Sequence, residues 1–579
     1  MSTRSLVLSC VLGFLTACGQ LSVQAEPPEG PVPADAVHAE IVTPTAPADV
    51  LPRQALTEQL LYQFLVAEVA GQRGDLALSS EAYLDLARET RDPRVARRAT
   101  EIAVFAKRFD VALEAAKIWL EVDPSSSRAR HAIAHLFVNA GQLAAAKGHL
   151  VALLATEPNP GQGLLRLNAV FAKQDRRAAL QLIKELAAPY SELPEAHFAI
   201  AQAALAAGRP EEAVAALREA ERRKPGWEPG ALLEGQIQLR TSKANALTFY
   251  GGFLDRYPAS RDVRLAYARL LVSDNQYPAA LTEFQRLRDD FPNNPEVSFA
   301  VGLLSLQLNR PEDAEKNLER AIAEGYRDPD AVRYYLGQSA ERRKSPETAM
   351  AEYAQVGRGD HFVSAQTRYA ALLANAKGLK EARAHLQGLT FSNPQEKAAI
   401  VQIEANMLRD AALFSEAFEV LTAALNDEPE SVDLLYDHAM AAEKINRLDL
   451  LEKDLRFVIK LKPDHAHAYN ALGYTLADRT DRLPEALALL EKALQFAPDD
   501  PFILDSMGWV QYRLGSLPTA VKYLERAYTL RPDPEIAAHL GEVMWAQGNR
   551  SGASDLWRSA LRDNPQNEVL QGVIKKFSP

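Results

Sequence analysis

The stretch LDSMGWVQYRLGSLPTAVKYLERAYTLRP, residues 504–532, sets the pattern for the whole chain. Ala520, Leu524 and Ala527 stand at i, i+4 and i+7, a spacing that places them on one helical face. The alanine lets a neighbouring helix come close, and the leucine fills the space beside it. Twelve residues before Ala520, Met507-Gly508 marks a second point of close approach, on an earlier helix. Pro532 closes the unit, because proline cannot continue the second helix and pre-sets the turn beyond it.

The same unit recurs in both directions. Pro565, Pro532, Pro498, Pro463, Pro429 and Pro394 are 33 to 35 residues apart, and Pro292, Pro258, Pro225, Pro158 and Pro124 extend the series in steps of about 34 or its multiples. Twelve residues before each of these places sits a small residue: Ala112, Ala146, Ala213, Ala246, Ala280, Ala314, Ala349, Ala382, Ala417, Ala486, Ala520 and Ala553, with Leu451 as the exception. Bulky residues follow four positions on, as in Leu150, Tyr250, Phe284, Tyr353, Leu490 and Trp557. Val301-Gly302, Leu336-Gly337, Leu540-Gly541 and, one residue further back, Leu472-Gly473 mark the first helix of their units. Gly141-Gln142, Gly208-Arg209 and Gly548-Asn549 read as the turn between helices.

On these residues the chain resembles the tetratricopeptide repeat family. The resemblance implies an all-α, right-handed α-solenoid of helix-turn-helix units. Thirteen to fourteen units are expected over residues 93–565, one of them degenerate near 160–190. Residues 55–92 form an N-terminal cap or degenerate repeat, and residues 566–579 a C-terminal capping helix. A helical array presents a long continuous surface and no single catalytic cleft, so the question becomes which proteins it holds.

Composition agrees. The net charge is −11, with an isoelectric point near 5.6, the wrong sign for general nucleic-acid binding, which requires a basic footprint. Small basic clusters, such as Arg222-Arg223-Lys224, read as solvated helix ends, where cations favour the helix dipole.

The N-terminus carries a second signal. Arg4 supplies a positive start, and residues 5–17 form an apolar run too short to span a bilayer. Leu15-Thr16-Ala17-Cys18 resembles a bacterial lipobox, which implies that residues 1–17 are a signal peptide and that Cys18 is the lipidation site. An ordinary signal peptide with an incidental cysteine is the competing reading. Removing residues 1–17 discards Cys10 and leaves Cys18 as the single thiol, which lipidation would cap in an oxidising compartment. Gly19 in place of aspartate implies, by the same resemblance, sorting to the outer membrane facing the periplasm. Residues 19–54 hold seven prolines and few large apolar side chains, the composition of a semi-extended tether.

No catalytic constellation is present: there is no His-Glu-x-x-His, Gly-x-Ser-x-Gly or Ser-x-x-Lys, and no phosphate loop. No enzyme activity, cofactor or metal is expected. His131 and His135 have zinc-ligand spacing on a first helix without an obvious third ligand. Gly161-Gln162-Gly163 reads as a turn, and Arg358-Gly359-Asp360 falls in an inter-repeat turn.

In the tetratricopeptide family, first-helix positions −3, +1 and +4 from the Gly/Ala register residue line a groove. Here they select Arg97, His131, His135, Tyr334, Asn406, Arg409, Tyr474, Asp505, Trp509, Tyr512 and Trp545 as a protein-binding surface. The aromatic members either anchor a partner or pack against the next repeat.

Lipobox, tether and repeat array together resemble the lipoprotein adaptors that serve periplasmic carboxyl-terminal processing proteases. That resemblance implies protein partners only, namely the protease and peptidoglycan hydrolase substrates, with a lipid anchor and no nucleic acid. It further implies a protease-contact helix beginning at Leu56, Leu60, Leu61 and Phe64, residues that serve equally well as the first unit's core. A scaffold for outer-membrane polysaccharide secretion or pilus assembly is the alternative. A cell-wall enzyme would need paired carboxylates in a cleft, whereas the acidic residues here are spread along helix surfaces.

Overall fold

The computed structural model describes residue 52 and residues 54–577, so Cys18 and nearly all of the tether lie outside the described residues. Within them 31 α-helices follow one another without a strand. They come as pairs joined by short turns, from Glu58–Gln72 with Leu76–Thr90 to Pro534–Ala546 with Arg550–Asp563, leaving Glu568–Phe577 single. The chain divides after Glu324 into two compact units.

Local chemistry explains where the first helices begin. Asp92, Asn159, Asn294, Asp328, Asn393, Asp500 and Asp533 are N-caps whose side chains accept a backbone N–H of the first turn, and a proline follows each. Such a cap contributes on the order of 1 kcal/mol. Between the helices of a pair the chain passes through the left-handed region, at Gly141 (φ 71°), Gly208 (φ 72°) and Gly548 (φ 92°). Asn275, Asn309 and Asn446 take the same place elsewhere, and so do Lys107, Lys344 and Ala412.

The repeat register is the packing register. All twelve register alanines, from Ala112 to Ala553, have no exposed surface, and Leu451 is 1% exposed. Where the first helix carries the register glycine, the bulky residue of the second helix lies against it. A Cβ on Gly302 would stand 2.7 Å from Leu318 Cγ, and one on Gly473 2.7 Å from Leu490 Cγ. Tyr250, Tyr353 and Trp557 meet Gly235, Gly337 and Gly541 in the same way. The extra residue between Gly473 and Ala486 has a simple origin: helix Ala466–Arg479 runs 14 residues, where most first helices run 13.

The period also appears in hydrogen bonds between successive units. Asp505 to His539, Glu542 to Lys576, Asn168 to Gln202 and Arg358 to Ser392 each join residues 34 apart, and Gln402 to Asp437 joins residues 35 apart. Equivalent positions of neighbouring repeats are therefore in contact, as a stack of similar units requires.

Two expectations change. Pro394 does not close a unit but opens helix Pro394–Asp410, because the second helix before it stops early at Gln387. Gly161 and Gly163 lie in the first turns of helix Pro160–Val170 rather than in a loop; a Cβ there would meet Glu195 at 2.9 Å and Leu154 at 2.8 Å. The region near 160–190 holds the helix pair Pro160–Val170 and Arg176–Ala187, whose first helix is shortened to 11 residues. Arg358 does fall between helices, and it is pinned there, donating to Thr390 O at 2.7 Å and Ser392 Oγ at 3.1 Å.

Candidate protein-binding surfaces

Towards the C-terminus, helices Ala466–Arg479, Pro501–Arg513, Pro534–Ala546 and Glu568–Phe577 lie side by side in succession and form one face. The C-terminal unit concentrates aromatic chemistry on that face. Helices Ala466–Arg479, Pro501–Arg513 and Pro534–Ala546 bring Tyr474, Trp509 and His539 together. The imidazole of His539 stacks on Trp509 with ring centres 4.4 Å apart and lies 6.1 Å from Tyr474. Tyr512 also packs on Trp509, with ring centres 5.2 Å apart. Asp505 holds the histidine, its carboxylate 2.9 Å from Nδ1. Burial alone would push His539 down, but the carboxylate of Asp505, with Glu535 and Glu542 nearby, outweighs it and holds the imidazole above its ordinary value. Burial, followed by Asp478 and Asp505, pushes the Tyr474 phenol well up. Trp509 Nε1 and Asn470 Oδ1 are buried on this face without a hydrogen-bond partner.

The groove residues picked from register positions do not share one fate. Tyr474, Trp509 and Tyr512 are half-buried and gather around His539. Asp505 is 8% exposed and is occupied by His539, so it positions that ring rather than meeting a partner directly. Trp545 is turned into the C-terminal core, its ring 5.9 Å from Trp557 and 5.7 Å from Phe577, with Arg550 5.4 Å above it. Tyr334 is 7% exposed and packs with Tyr335, Tyr353 and His361, which removes it from the surface. Register position alone does not distinguish an outward ring from one that the next repeat covers.

Asn406 and Arg409 remain on the first-helix face; Arg409 bonds Asn406 and stands 3.7 Å from Asp437 of the next first helix, Val432–Lys444. In the N-terminal unit Arg97 is exposed and 3.4 Å from Glu101. His131 and His135 are exposed, and His135 lies 3.3 Å from Asn139. Among the described residues no group of three or more His, Cys, Asp or Glu side chains could hold a metal ion. His539 was not selected from the sequence because it sits two residues before Gly541, outside the positions taken to line the groove.

The N-terminal helix forms the second surface. Helix Glu58–Gln72 spreads its apolar side chains around its circumference, interspersed with Glu58, Gln59, Gln63, Glu68 and Gln72, yet only one side is covered. Leu60, Ala67 and Ala70 face helix Leu76–Thr90 and are buried. Leu60 is therefore a core residue, unlike its neighbours. Leu56 (73% exposed) and Leu61 (44%) face outward, and Phe64 (42%) leans its edge on Tyr83. Tyr62, Leu65, Val69 and Leu78 continue the exposed apolar strip and line a shallow groove between the two helices. Among the described residues no helix is long and apolar enough to cross a membrane.

Comparison with known proteins agrees with this geometry. Tetratricopeptide repeat profiles match residues 244–304 and residues 164–226, 299–361 and 436–501. The chain is 36% identical over 578 residues to the TPR repeat-containing protein PA4667 of Pseudomonas aeruginosa, covering 99% of this chain and 96% of that protein. It is 27% identical over 386 residues to cellulose synthase operon protein C of Pseudomonas fluorescens, covering 60% of this chain and 29% of that protein. Among solved structures, a thermophilic TPR protein of Thermus thermophilus overlays 30% of this chain and 94% of its own, with 21% identity and a TM-score of 0.28. The C-terminal part of a TPR repeat-containing protein from Cytophaga hutchinsonii overlays 42% of this chain and 98% of its own, with 15% identity and a TM-score of 0.31. With a full-length relative, matching repeat profiles and the glycine-to-bulky-residue register in its helix pairs, the chain belongs to the tetratricopeptide repeat family.

Proposed function

We propose that this protein is a lipid-anchored periplasmic adaptor that recruits and activates a carboxyl-terminal processing protease and presents peptidoglycan hydrolases to it. The observation that carries the reading is helix Glu58–Gln72. A helix with apolar side chains around its circumference but covered on one side leaves Leu61, Tyr62, Leu65 and Val69 in water, and exposed apolar strips of this kind mark protein interfaces. The lipobox at Leu15-Thr16-Ala17-Cys18 supplies the anchor, and the proline-rich residues 19–54 set the repeats away from the outer membrane. The aromatic face around His539 supplies a second, separate surface on which a substrate could be held.

A scaffold role in polysaccharide secretion is the second reading. The alignment of 386 residues with cellulose synthase operon protein C supports it. Cross-linking of the anchored protein in intact cells, followed by identification of captured proteins, separates the two. The adaptor reading expects a carboxyl-terminal processing protease with cell-wall hydrolases. Capture of a secretion pore without protease would overturn it.

A further inference from the structure

Helices Ser127–Asn139 and Leu143–Thr156 stand apart in a chain of net charge −11, because neither contains Asp or Glu. The first carries Arg128, Arg130, His131 and His135, and the second Lys147 and His149. The carboxylates that flank them are engaged elsewhere. On helix Phe109–Val122, Asp110 faces Arg108, Glu114 pairs with Arg88 and Glu121 with Arg91. Asp123 accepts from the Ser125 hydroxyl. Beyond the second helix, Glu157 pairs with Arg166 and Glu185 with Lys147.

Arg130 and His149 meet a third base, Lys117 of helix Phe109–Val122. Lys117 Nζ lies 5.7 Å from the centre of the Phe137 ring, and the His149 ring lies 6.0 Å from the same centre. Among the described residues neither Lys117 nor Arg130 makes an ion pair, and Arg130 donates to Pro124 O at 2.8 Å. His149 Nδ1 is buried without a hydrogen-bond partner. Burial, then Arg130 and Lys117, hold the imidazole below its ordinary value, and no carboxylate offsets them. Three successive helices thus each bring one base to a place that lacks an anion.

We propose that Lys117, Arg130 and His149 bind a phosphomonoester group, carried either by a small soluble molecule or by a lipid headgroup. Two permanent cations match the charge of about −2 that such a group carries near neutral pH, and its three terminal oxygens can accept from all three side chains. A carboxylate carries half that charge and would leave one base uncompensated. Lys117 and His149 stand on second helices, and Arg130 lies outside the register positions that line the first-helix groove, so the place is separate from that groove. The site goes beyond the adaptor reading and does not depend on which machine the scaffold serves.

The test titrates inorganic phosphate into the full chain and follows the phosphorus NMR linewidth. The expected result is saturable broadening with a half-point at about 1 mM or below, reversed by glycerol 3-phosphate and at least about tenfold less effectively by acetate. Lys117→Gln and Arg130→Gln each weaken binding by about tenfold or more, whereas Lys147→Gln, whose lysine is paired with Glu185, leaves it unchanged. Thermal unfolding of each variant is measured alongside, and Lys117→Gln replaces an exposed side chain that the fold does not need. Flotation with vesicles of phosphatidylcholine and phosphatidic acid in equal parts, lost in Lys117→Gln, assigns the group to a lipid headgroup. Phosphate binding without flotation assigns it to a soluble molecule. Broadening that does not saturate, equal displacement by acetate, or undiminished binding by folded Lys117→Gln and Arg130→Gln would overturn the proposal.

Discussion

The first and last helices of the described chain treat their apolar side chains in opposite ways. At the C-terminal end, Trp557 is completely buried, Trp545 and Phe577 stack against it, and Leu570 of the single helix Glu568–Phe577 has no exposed surface. That helix is amphipathic and turns its polar side outward. At the N-terminal end, helix Glu58–Gln72 has no polar side to turn outward, and Tyr62 and Leu65 stay 69% and 52% exposed. A repeat array needs a polar terminal face to remain soluble by itself. One end meets that need, and the other keeps an exposed apolar strip among the described residues.

The largest expected effect lies at the closed end. Trp557→Ala empties the space between Gly541, Trp545 and Phe577 and should cost about 3–5 kcal/mol in denaturant unfolding of the C-terminal unit. Next comes Gly508→Leu, which forces a side chain against Leu524 and should cost about 1–3 kcal/mol. Ala412→Gly works in the opposite direction. Ala412 has φ 57°, a left-handed conformation that glycine adopts without strain, so the change should stabilise by about 1 kcal/mol.

A smaller effect is expected from pH. His539 is held above its ordinary value by Asp505, so its contribution is fully present below the unfolded imidazole pKa and is lost as pH rises through the folded value. Stability of the C-terminal unit should therefore fall with rising pH in the window above about 6.5, and Asp505→Asn should flatten that slope. Smallest of all, Tyr62→Ser, Leu65→Ser and Val69→Ser at the open end should each change stability by about 0.5 kcal/mol or less, because these side chains pack on little. A large loss there would show that the strip is core and erase the contrast between the ends.

The fold was legible because its determinants repeat. The register alanines are spaced by the helix period within a unit and by about 34 residues between units, and every one of them is buried. The surfaces were legible only in part. Position on a first helix says that Tyr334 and Tyr474 point to the same kind of face, but whether a ring stays outward depends on the next repeat. Tyr353 and His361 cover Tyr334, whereas Tyr474 keeps part of its surface. The histidine contacts were missed for a related reason. Reading along one helix singles out His131 and His135, four residues apart, while the pairs that form join His539 to Asp505 and His438 to Asp454, 34 and 16 residues apart. Leu60 and Leu61 illustrate the same limit, since a helix with apolar side chains around its circumference gives no sign of which side faces inward.

The central claim is that helix Glu58–Gln72 is a partner-binding strip rather than an unfinished core. Its most direct test compares the wild-type chain with the Tyr62→Ser, Leu65→Ser, Val69→Ser triple variant in binding to a purified carboxyl-terminal processing protease, with thermal unfolding measured on both. The account predicts that the variant unfolds at the wild-type temperature and loses protease binding by about a hundredfold. Undiminished binding by a fully folded variant would contradict it.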